Sequence, residues 1–238
     1  MDTQTVVTFK KVSKIFEPQH ITAISDINIS VEKGEFVCLI GPSGEGKSTI
    51  LKLIAGLEEP SSGVIEKPPK VAMSFQSAAL FPWLTVRENI ALGLRVHGRS
   101  EKEIDTEISK QVALMHLEGL EEKRPSELSG GQAQRVGIAR ALAVDPDVLL
   151  LDEPFSALDP KTTAEMHSDL ISIWKETHKT IIMVSHLIEE AVSLADRILL
   201  MKKGTVAEEF SINLPYPRRD AAEGFMRDVE RIRKEFFK

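Results

Sequence analysis

Hydrophobic and polar positions change their spacing along this chain, and each change marks a zone. From residue 5 to residue 34 they alternate, in "TVVTFKKV" and then "ITAISDINISVEKGE". Alternation of period two predicts short strands with one buried face, and Lys33-Gly34 predicts a turn between elements. Residues 36–83 open with the apolar stretch "FVCLI", followed by a glycine-rich loop, a helix and further strands. Residues 84–127 are polar and helical in pattern, with Ile104, Ile108, Val112 and Met115 on one face. Three apolar runs then alternate with helical segments: "DVLLLD", "TIIMVSH" and "RILLMK". Strands without alternation are buried on both faces, and the helices between them are the crossovers of a parallel sheet. The expected fold class is therefore α/β, with a mainly parallel sheet. No internal repeat or low-complexity tract interrupts it.

Composition narrows the picture. Of 238 residues, 42% are hydrophobic and 28% charged, which is ordinary for a soluble globular chain of one or two domains. The balance of 36 acids against 30 bases gives a net charge of −6, which argues against a nucleic-acid partner. A single cysteine, Cys38, excludes an intrachain disulfide framework and fits a reducing compartment. Its place in "FVCLIG" reads as small buried core. Apolar runs such as "ALAV" and "VLLL" fall far short of the ~20 residues of a spanning helix. The start "MDTQTVVTFKKVSKIF" alternates like a strand and lacks the apolar core of a signal peptide. A cytosolic protein is expected, reaching a membrane only through a partner.

The most specific chemistry lies in "GPSGEGKST", Gly41, Pro42, Ser43, Gly44, Glu45, Gly46, Lys47, Ser48 and Thr49. It fits G-x-x-x-x-G-K-[ST] between a strand and the helical run "TILKLIAG", which ends at Gly56. Glycines let successive N–H groups turn inward on phosphate oxygens, and the helix N-terminus adds partial positive charge. Lys47 is expected to reach the β- and γ-phosphates, and the Ser48 hydroxyl to ligate Mg²⁺. The second signal is a pair of carboxylates, Asp152 and Glu153, at the carboxyl end of the apolar run "VLLL". Ligands of open α/β sheets bind at that end. Asp152 can there reach Mg²⁺, and Glu153 a water aligned on the γ-phosphate.

"GPSGEGKST", "LSGGQAQRV" and "LLLDEPFSALD" together resemble the ATP-binding subunit of ATP-binding cassette (ABC) transporters, over nearly the whole chain and in that family's order. The resemblance implies one cassette over residues 1–238. Its β subdomain and nucleotide core fall at about 1–83 and 135–204, its helical subdomain at about 84–134 and its tail at about 205–238. It implies an antiparallel β subdomain at the N-terminus, ATP and Mg²⁺ as cofactors, and ATP hydrolysis. Ser129, Gly130, Gly131 and Gln132 would face the nucleotide of a second subunit, as would Asp159 in "SALDP". The resemblance thus implies a dimer of ATP-binding subunits, a homodimer in the first instance and a heterodimer as the alternative. Gln76 in "SFQSAALFPW" matches the family's Mg²⁺-contacting glutamine, and His186 matches the histidine that contacts the γ-phosphate. Phe16 in "VSKIF" aligns with the aromatic that stacks on adenine. Without the resemblance, Ser-Gly-Gly reads as a loop, Gln76 as polar surface, His186 as structural and Phe16 as core.

This chain departs from the pattern at several points. Glu45 stands where the family usually carries a small residue or cysteine. Its carboxylate is expected to point away from the triphosphate or to weaken binding. Ala133 replaces a longer side chain. Between Gly63 and Gln76 the chain is short, and Pro68-Pro69 predicts a tight turn in place of a hairpin. The segment after Gly204 is shorter than the regulatory domains that some importer ATPases append. Within it, Phe225, Val229, Ile232 and Phe236 form a helical stripe that would pack on the cassette.

"FPWLTVRENIALGL" and "FSINLPYPRRD" are similar to ATPases of nitrate, sulfonate and taurine importers, a branch that also feeds pyrimidine-type vitamin precursors. The implied partners are an integral-membrane permease, docked on the segment Phe81 to Ile90, and indirectly a periplasmic or extracellular solute-binding protein. The implied location is the cytoplasmic face of the membrane. The alternative is a soluble ABC ATPase that drives assembly, of the iron–sulfur type. A non-enzymatic nucleotide switch is disfavoured by the joint presence of Lys47, Asp152, Glu153 and His186.

Overall fold

The apolar runs and helical stripes all become elements in the computed structural model, which describes residues 4–238. The first three residues of the alternating start lie outside the described residues. The order is β1 (Thr5–Phe16), β2 (Ile21–Glu32), β3 (Phe36–Ile40), α1 (Lys47–Ala55), β4 (Ser62–Glu66), β5 (Val71–Ser74), α2 (Val86–Val96), α3 (Glu101–Leu114), α4 (Gly130–Ala143), β6 (Val148–Asp152), α5 (Pro160–Thr177), β7 (Thr180–Val184), α6 (Ile188–Leu194), β8 (Arg197–Lys202), β9 (Thr205–Ser211) and α7 (Ala222–Phe236). Two compact units divide them, Met1–Pro69 with Lys179–Lys238, and Lys70–His178.

In the first unit, β7, β3 and β8 lie side by side and parallel, with β9 antiparallel at the edge. Every residue of β3 and β7 is buried, as unbroken apolar runs require. Cys38 is among them, and burial pushes its thiol pKa well up, so it is an inert core residue. A separate antiparallel sheet has the order β2-β1-β4. Its two long strands replace the short ones expected from the alternation. Register shifts, as between Phe9 and Val12, let twelve-residue strands bend without ending. On α7, Phe225, Val229 and Ile232 are buried and Phe236 is half-buried.

In the second unit, β5 and β6 pair in parallel. The four residues Ile104, Ile108, Val112 and Met115 are all buried, as the helical stripe requires. Helices α2, α3 and α4 begin with capping boxes, Thr85 with Glu88, Ser100 with Glu103, and Ser129 with Gln132. Each box satisfies two backbone N–H groups that a helix start otherwise leaves open.

Pro68-Pro69 carries a bend, at Pro69, and no hairpin forms around it. β4 pairs with β1, whereas β5 pairs with β6, so no strand folds back on its neighbour. Prolines fix φ and lack an N–H, which suits a short connection outside any strand ladder.

Candidate functional site

The nucleotide-type loop leaves β3 at Gly41, and α1 starts at Lys47 with Gly46 as its N-cap at φ 85°. A Cβ on Gly46 would overlap the Ala23 carbonyl and the Ile24 side chain, so only glycine fits here. No side chain caps α1, which leaves its first N–H groups turned toward the loop. Lys47 is 5% exposed, and its Nζ donates to the carbonyls of Gly41 and Pro42, both at 2.7 Å. The ammonium is thus held across its own loop, beside a helix N-terminus. Ser48 and Thr49 follow, half-buried. At the other end of α1, Lys67 Nζ donates to Leu53 O at 3.3 Å and Ile54 O at 2.6 Å, a cation on the negative end of the helix dipole.

Glu45 is half-buried, and its Oε2 accepts from the Gly204 N–H at 3.2 Å, in the turn between β8 and β9. The carboxylate thereby ties the loop to that hairpin. Glu45→Ser is expected to lower folding stability by about 1 kcal/mol, the worth of one partly exposed hydrogen bond. Nucleotide affinity should shift by less than about fivefold, because a solvated charge acts through a high effective dielectric. Urea unfolding and nucleotide titration of the variant check both numbers.

Two further residues of this unit were singled out in the sequence. Phe16 ends β1 half-buried, with Lys14 Nζ 4.9 Å from its ring centroid. His186 is exposed just beyond β7. Its turn is pinned by Ser185 Oγ, which accepts from Leu187 N at 3.0 Å and donates to Leu187 O at 3.3 Å.

In the second unit β6 delivers Asp152 and Glu153, both half-buried, from a strand that is otherwise buried. Gln76 Nε2 donates to Glu153 Oε2 at 3.0 Å and to Ser156 Oγ at 3.2 Å. The glutamine and the second carboxylate are therefore brought together, and Ser156 joins them. Backbone strain gathers here. Glu153 has φ 47°, and Ala78 and Ala79, just after Gln76, have φ 56° and 44°. A left-handed non-glycine residue costs roughly 1–2 kcal/mol. The turn is gripped from α4. Arg140 donates from one terminal nitrogen to Ala79 O at 2.9 Å and from the other to Ala78 O at 2.8 Å, and Gln134 Nε2 donates to Phe75 O at 3.4 Å. The sequence reading passed over Arg140, Gln134 and Ser156. The available signal for Arg140 was a lone charge in the apolar run "VGIARALAV".

The Ser-Gly-Gly turn does open a helix. Ser129 caps α4, its Oγ accepting from Gln132 N at 3.2 Å, while Gln132 Oε1 accepts from Ser129 N at 2.9 Å. Gly131 faces α5, and a Cβ there would come within 2.6 Å of Thr162 Cγ2. Asp159 caps α5 by accepting from Lys161 N and Thr162 N, both at 3.1 Å. The Thr162 hydroxyl, donating to Asp159 Oδ2 at 2.6 Å, holds that carboxyl below its ordinary pKa. Thr162 thus lies between Gly131 and Asp159 and places the two helix starts beside each other.

A fourth feature of this unit is an apolar surface. Phe81 is 38% and Trp83 67% exposed, their rings edge-to-face with centroids 5.6 Å apart. Their loop is fixed from below by Asn89, which is fully buried. Asn89 accepts from Phe81 N at 2.9 Å, and its Nδ2 reaches the carbonyls of Phe81, Leu84 and Thr85. A buried polar side chain that spends its bonds on one loop holds that loop rigid.

A family model described as ABC transporter matches residues 24–156. The chain is 43% identical over 242 residues to an aliphatic sulfonates import ATP-binding protein of Bacillus cereus, covering 97% of this chain and 95% of that one. It is 46% identical over 205 residues to a nitrate import ATP-binding protein of Synechocystis sp., covering 82% and 77%. Among solved structures, an ATP-binding cassette in a dimeric post-hydrolysis state bound to ADP and Pi superposes with TM-score 0.80 at 33% identity, over 87% of this chain and 99% of that one.

Proposed function

The chain belongs to the ABC transporter family as an ATP-hydrolysing subunit of an import system, and from that premise we propose how its residues divide the work and what it helps to import. The observation that carries the assignment of the nucleotide site is Lys47, a buried cation held across a glycine loop at the start of α1. In this reading the loop amides, Lys47, Ser48 and Thr49 bind the phosphates, and Phe16 stacks on the base. Lys47 and His186 stabilise charge at the γ-phosphate. Glu153 accepts the hydrogen bond or the proton of the attacking water.

Ser48, Gln76 and Asp152 are the proposed Mg²⁺ ligands. All three offer hard oxygen donors, which is the chemistry that ion selects. Among the described residues no group of three or more His, Cys, Asp or Glu is gathered into a metal cage. A Mg²⁺ ion carried mainly by substrate phosphates takes one or two carboxylates from the protein, a part proposed here for Asp152. When bound, it neutralises charge on the β- and γ-oxygens.

The capped start of α4 at Ser129, with Gly130, Gly131, Gln132 and Asp159, is proposed to complete the nucleotide site of a second copy. The edge-to-face pair Phe81 and Trp83 is proposed to dock the permease at the cytoplasmic face of the membrane. Among the described residues no helix is long and apolar enough to cross a membrane, and this reading places the chain at the membrane through its partner. Replacing Trp83 by alanine should leave ATP hydrolysis by the isolated chain within about twofold and cut solute-stimulated hydrolysis by the assembled transporter at least about tenfold, as for a buried aromatic anchor at an interface. Parallel assays of the chain alone and in proteoliposomes check it. Equal loss in both would assign Trp83 to folding.

The proposed solute is a small oxyanion such as an aliphatic sulfonate or nitrate. The support is the relatives' solutes together with coverage of nearly the whole chain. The test is reconstitution of the chain with its permease and solute-binding protein, measuring stimulation of ATP hydrolysis by sulfonates, nitrate and a pyrimidine precursor. Stimulation by the pyrimidine alone would overturn the oxyanion reading.

A further inference from the structure

Ala78 and Ala79 form the only adjacent pair of non-glycine residues at positive φ among the described residues. Alanine brings no side chain able to compensate a left-handed backbone, so the surroundings hold the turn. One face of α4 supplies that hold. Gln134 binds the Phe75 carbonyl at 3.4 Å, and Gly137 leaves room for Ala78, where a Cβ would stand 3.2 Å from the Ala78 Cβ. Arg140 places its two terminal nitrogens on the consecutive carbonyls of Ala79 and Ala78, at 2.9 and 2.8 Å. Two residues before the pair stands Gln76, whose amide meets Glu153 at 3.0 Å.

We propose that Arg140 is a positioning residue for hydrolysis. By clamping the Ala78-Ala79 turn it sets Gln76 against Glu153, and so links the Ser129-capped helix to the carboxylate that acts on the water. The inference rests on the roles given above to Gln76 and Glu153. Its physical basis is the planar fork of the guanidinium, whose two terminal nitrogens meet the two carbonyls in one fixed geometry, whereas a lysine ammonium is a point charge on a flexible stem. α4 carries both the clamp and the Ser129 start, so a shift of α4 changes Gln76 together with that start.

The test uses the full chain with Mg²⁺-ATP and the variants Arg140→Ala, Arg140→Lys, Ala79→Gly, Gln76→Ala and two doubles, Arg140→Ala with Ala79→Gly and Arg140→Ala with Gln76→Ala. Steady-state kcat and KM, binding of a fluorescent ATP analogue and thermal unfolding are measured for each. Arg140→Ala should lower kcat by about 10²-fold, the usual cost of a misplaced catalytic group. KM and analogue affinity should stay within about twofold, because the loop around Lys47 is untouched. Arg140→Lys should fall between wild type and Arg140→Ala. Ala79→Gly alone should be near wild type. In the Arg140→Ala background it should restore about fivefold, since glycine adopts the left-handed turn without the steric cost. Gln76→Ala should lose a comparable kcat, and adding Arg140→Ala should lower it no further, as for two residues of one network.

Wild-type kcat in Arg140→Ala beside an impaired Gln76→Ala would overturn the inference alone. So would a matched loss of kcat and analogue affinity without recovery by Ala79→Gly, which would mark a general folding role. Wild-type turnover in Gln76→Ala would overturn the role of Gln76 and the inference with it. If Arg140→Ala fails to fold, Arg140→Lys, alone and with Ala79→Gly, carries the same criteria.

Discussion

Glu153→Gln is expected to cut ATP turnover by roughly 10²–10⁴-fold, the usual worth of a general base, and to trap an ATP-bound dimer. The amide keeps the shape of the carboxylate but cannot take a proton. Gln76, 3.0 Å from Glu153 Oε2, can still donate to an amide oxygen at that position, so the local hydrogen bond survives. Nucleotide binding should survive too, because Lys47 and its loop lie elsewhere in the chain. One negative charge fewer near a triphosphate also favours closure. Two copies would then enclose two ATP molecules, each between a phosphate loop and the opposite Ser129-Gly130-Gly131. Size-exclusion chromatography of the variant with Mg²⁺-ATP at low salt reads the outcome directly. A dimer is expected from Glu153→Gln. A monomer is expected once Ser129→Arg is added, because a long cation then replaces the capping hydroxyl that accepts from Gln132 N. An oligomeric state indifferent to both ATP and Ser129 would defeat the shared-site reading for the isolated chain.

Lys47→Ala is expected to abolish detectable hydrolysis and to weaken ATP binding by some two orders of magnitude. The ammonium is one fixed cation in a desolvated site, a contact of order 2–4 kcal/mol. The structure adds a second cost. Lys47 Nζ also bridges the carbonyls of Gly41 and Pro42, so its removal loosens the loop whose amides are proposed to bind the phosphates. Binding should therefore fall together with kcat, unlike in Glu153→Gln, and the contrast separates a binding role from a proton-accepting one. Equilibrium titration with ATP and a single-turnover assay measure the two effects. Near-normal turnover would remove Lys47 from the site.

Much of the fold and of the site was legible in the residues themselves, wherever the physics is local. The unbroken runs of β3, β7 and β8 name buried parallel strands, because no exposed face could tolerate them. Gly46 and Lys47 follow a strand and open a helix, the context that a phosphate loop requires. Ser129, three residues before Gln132, carries its own cap. The strand-end carboxylates Asp152 and Glu153 were likewise plain from four apolar residues before them.

Tertiary structure decided what depends on partners distant in sequence. Spacing cannot show that Glu45 spends its carboxylate on Gly204, nor that Arg140 reaches the carbonyls of Ala78 and Ala79. It cannot show that the strands on either side of Pro68-Pro69 find their partners elsewhere, β4 on β1 and β5 on β6. "LFPWL" reads equally as core and as contact surface. Only the fold turns Trp83 outward, because Asn89, fully buried beneath the loop, binds the backbone on either side of it. Local sequence sets backbone conformation through sterics and nearby hydrogen bonds. The choice of long-range hydrogen-bond partner, and of which apolar side chain stays in water, belongs to the topology that brings distant segments together.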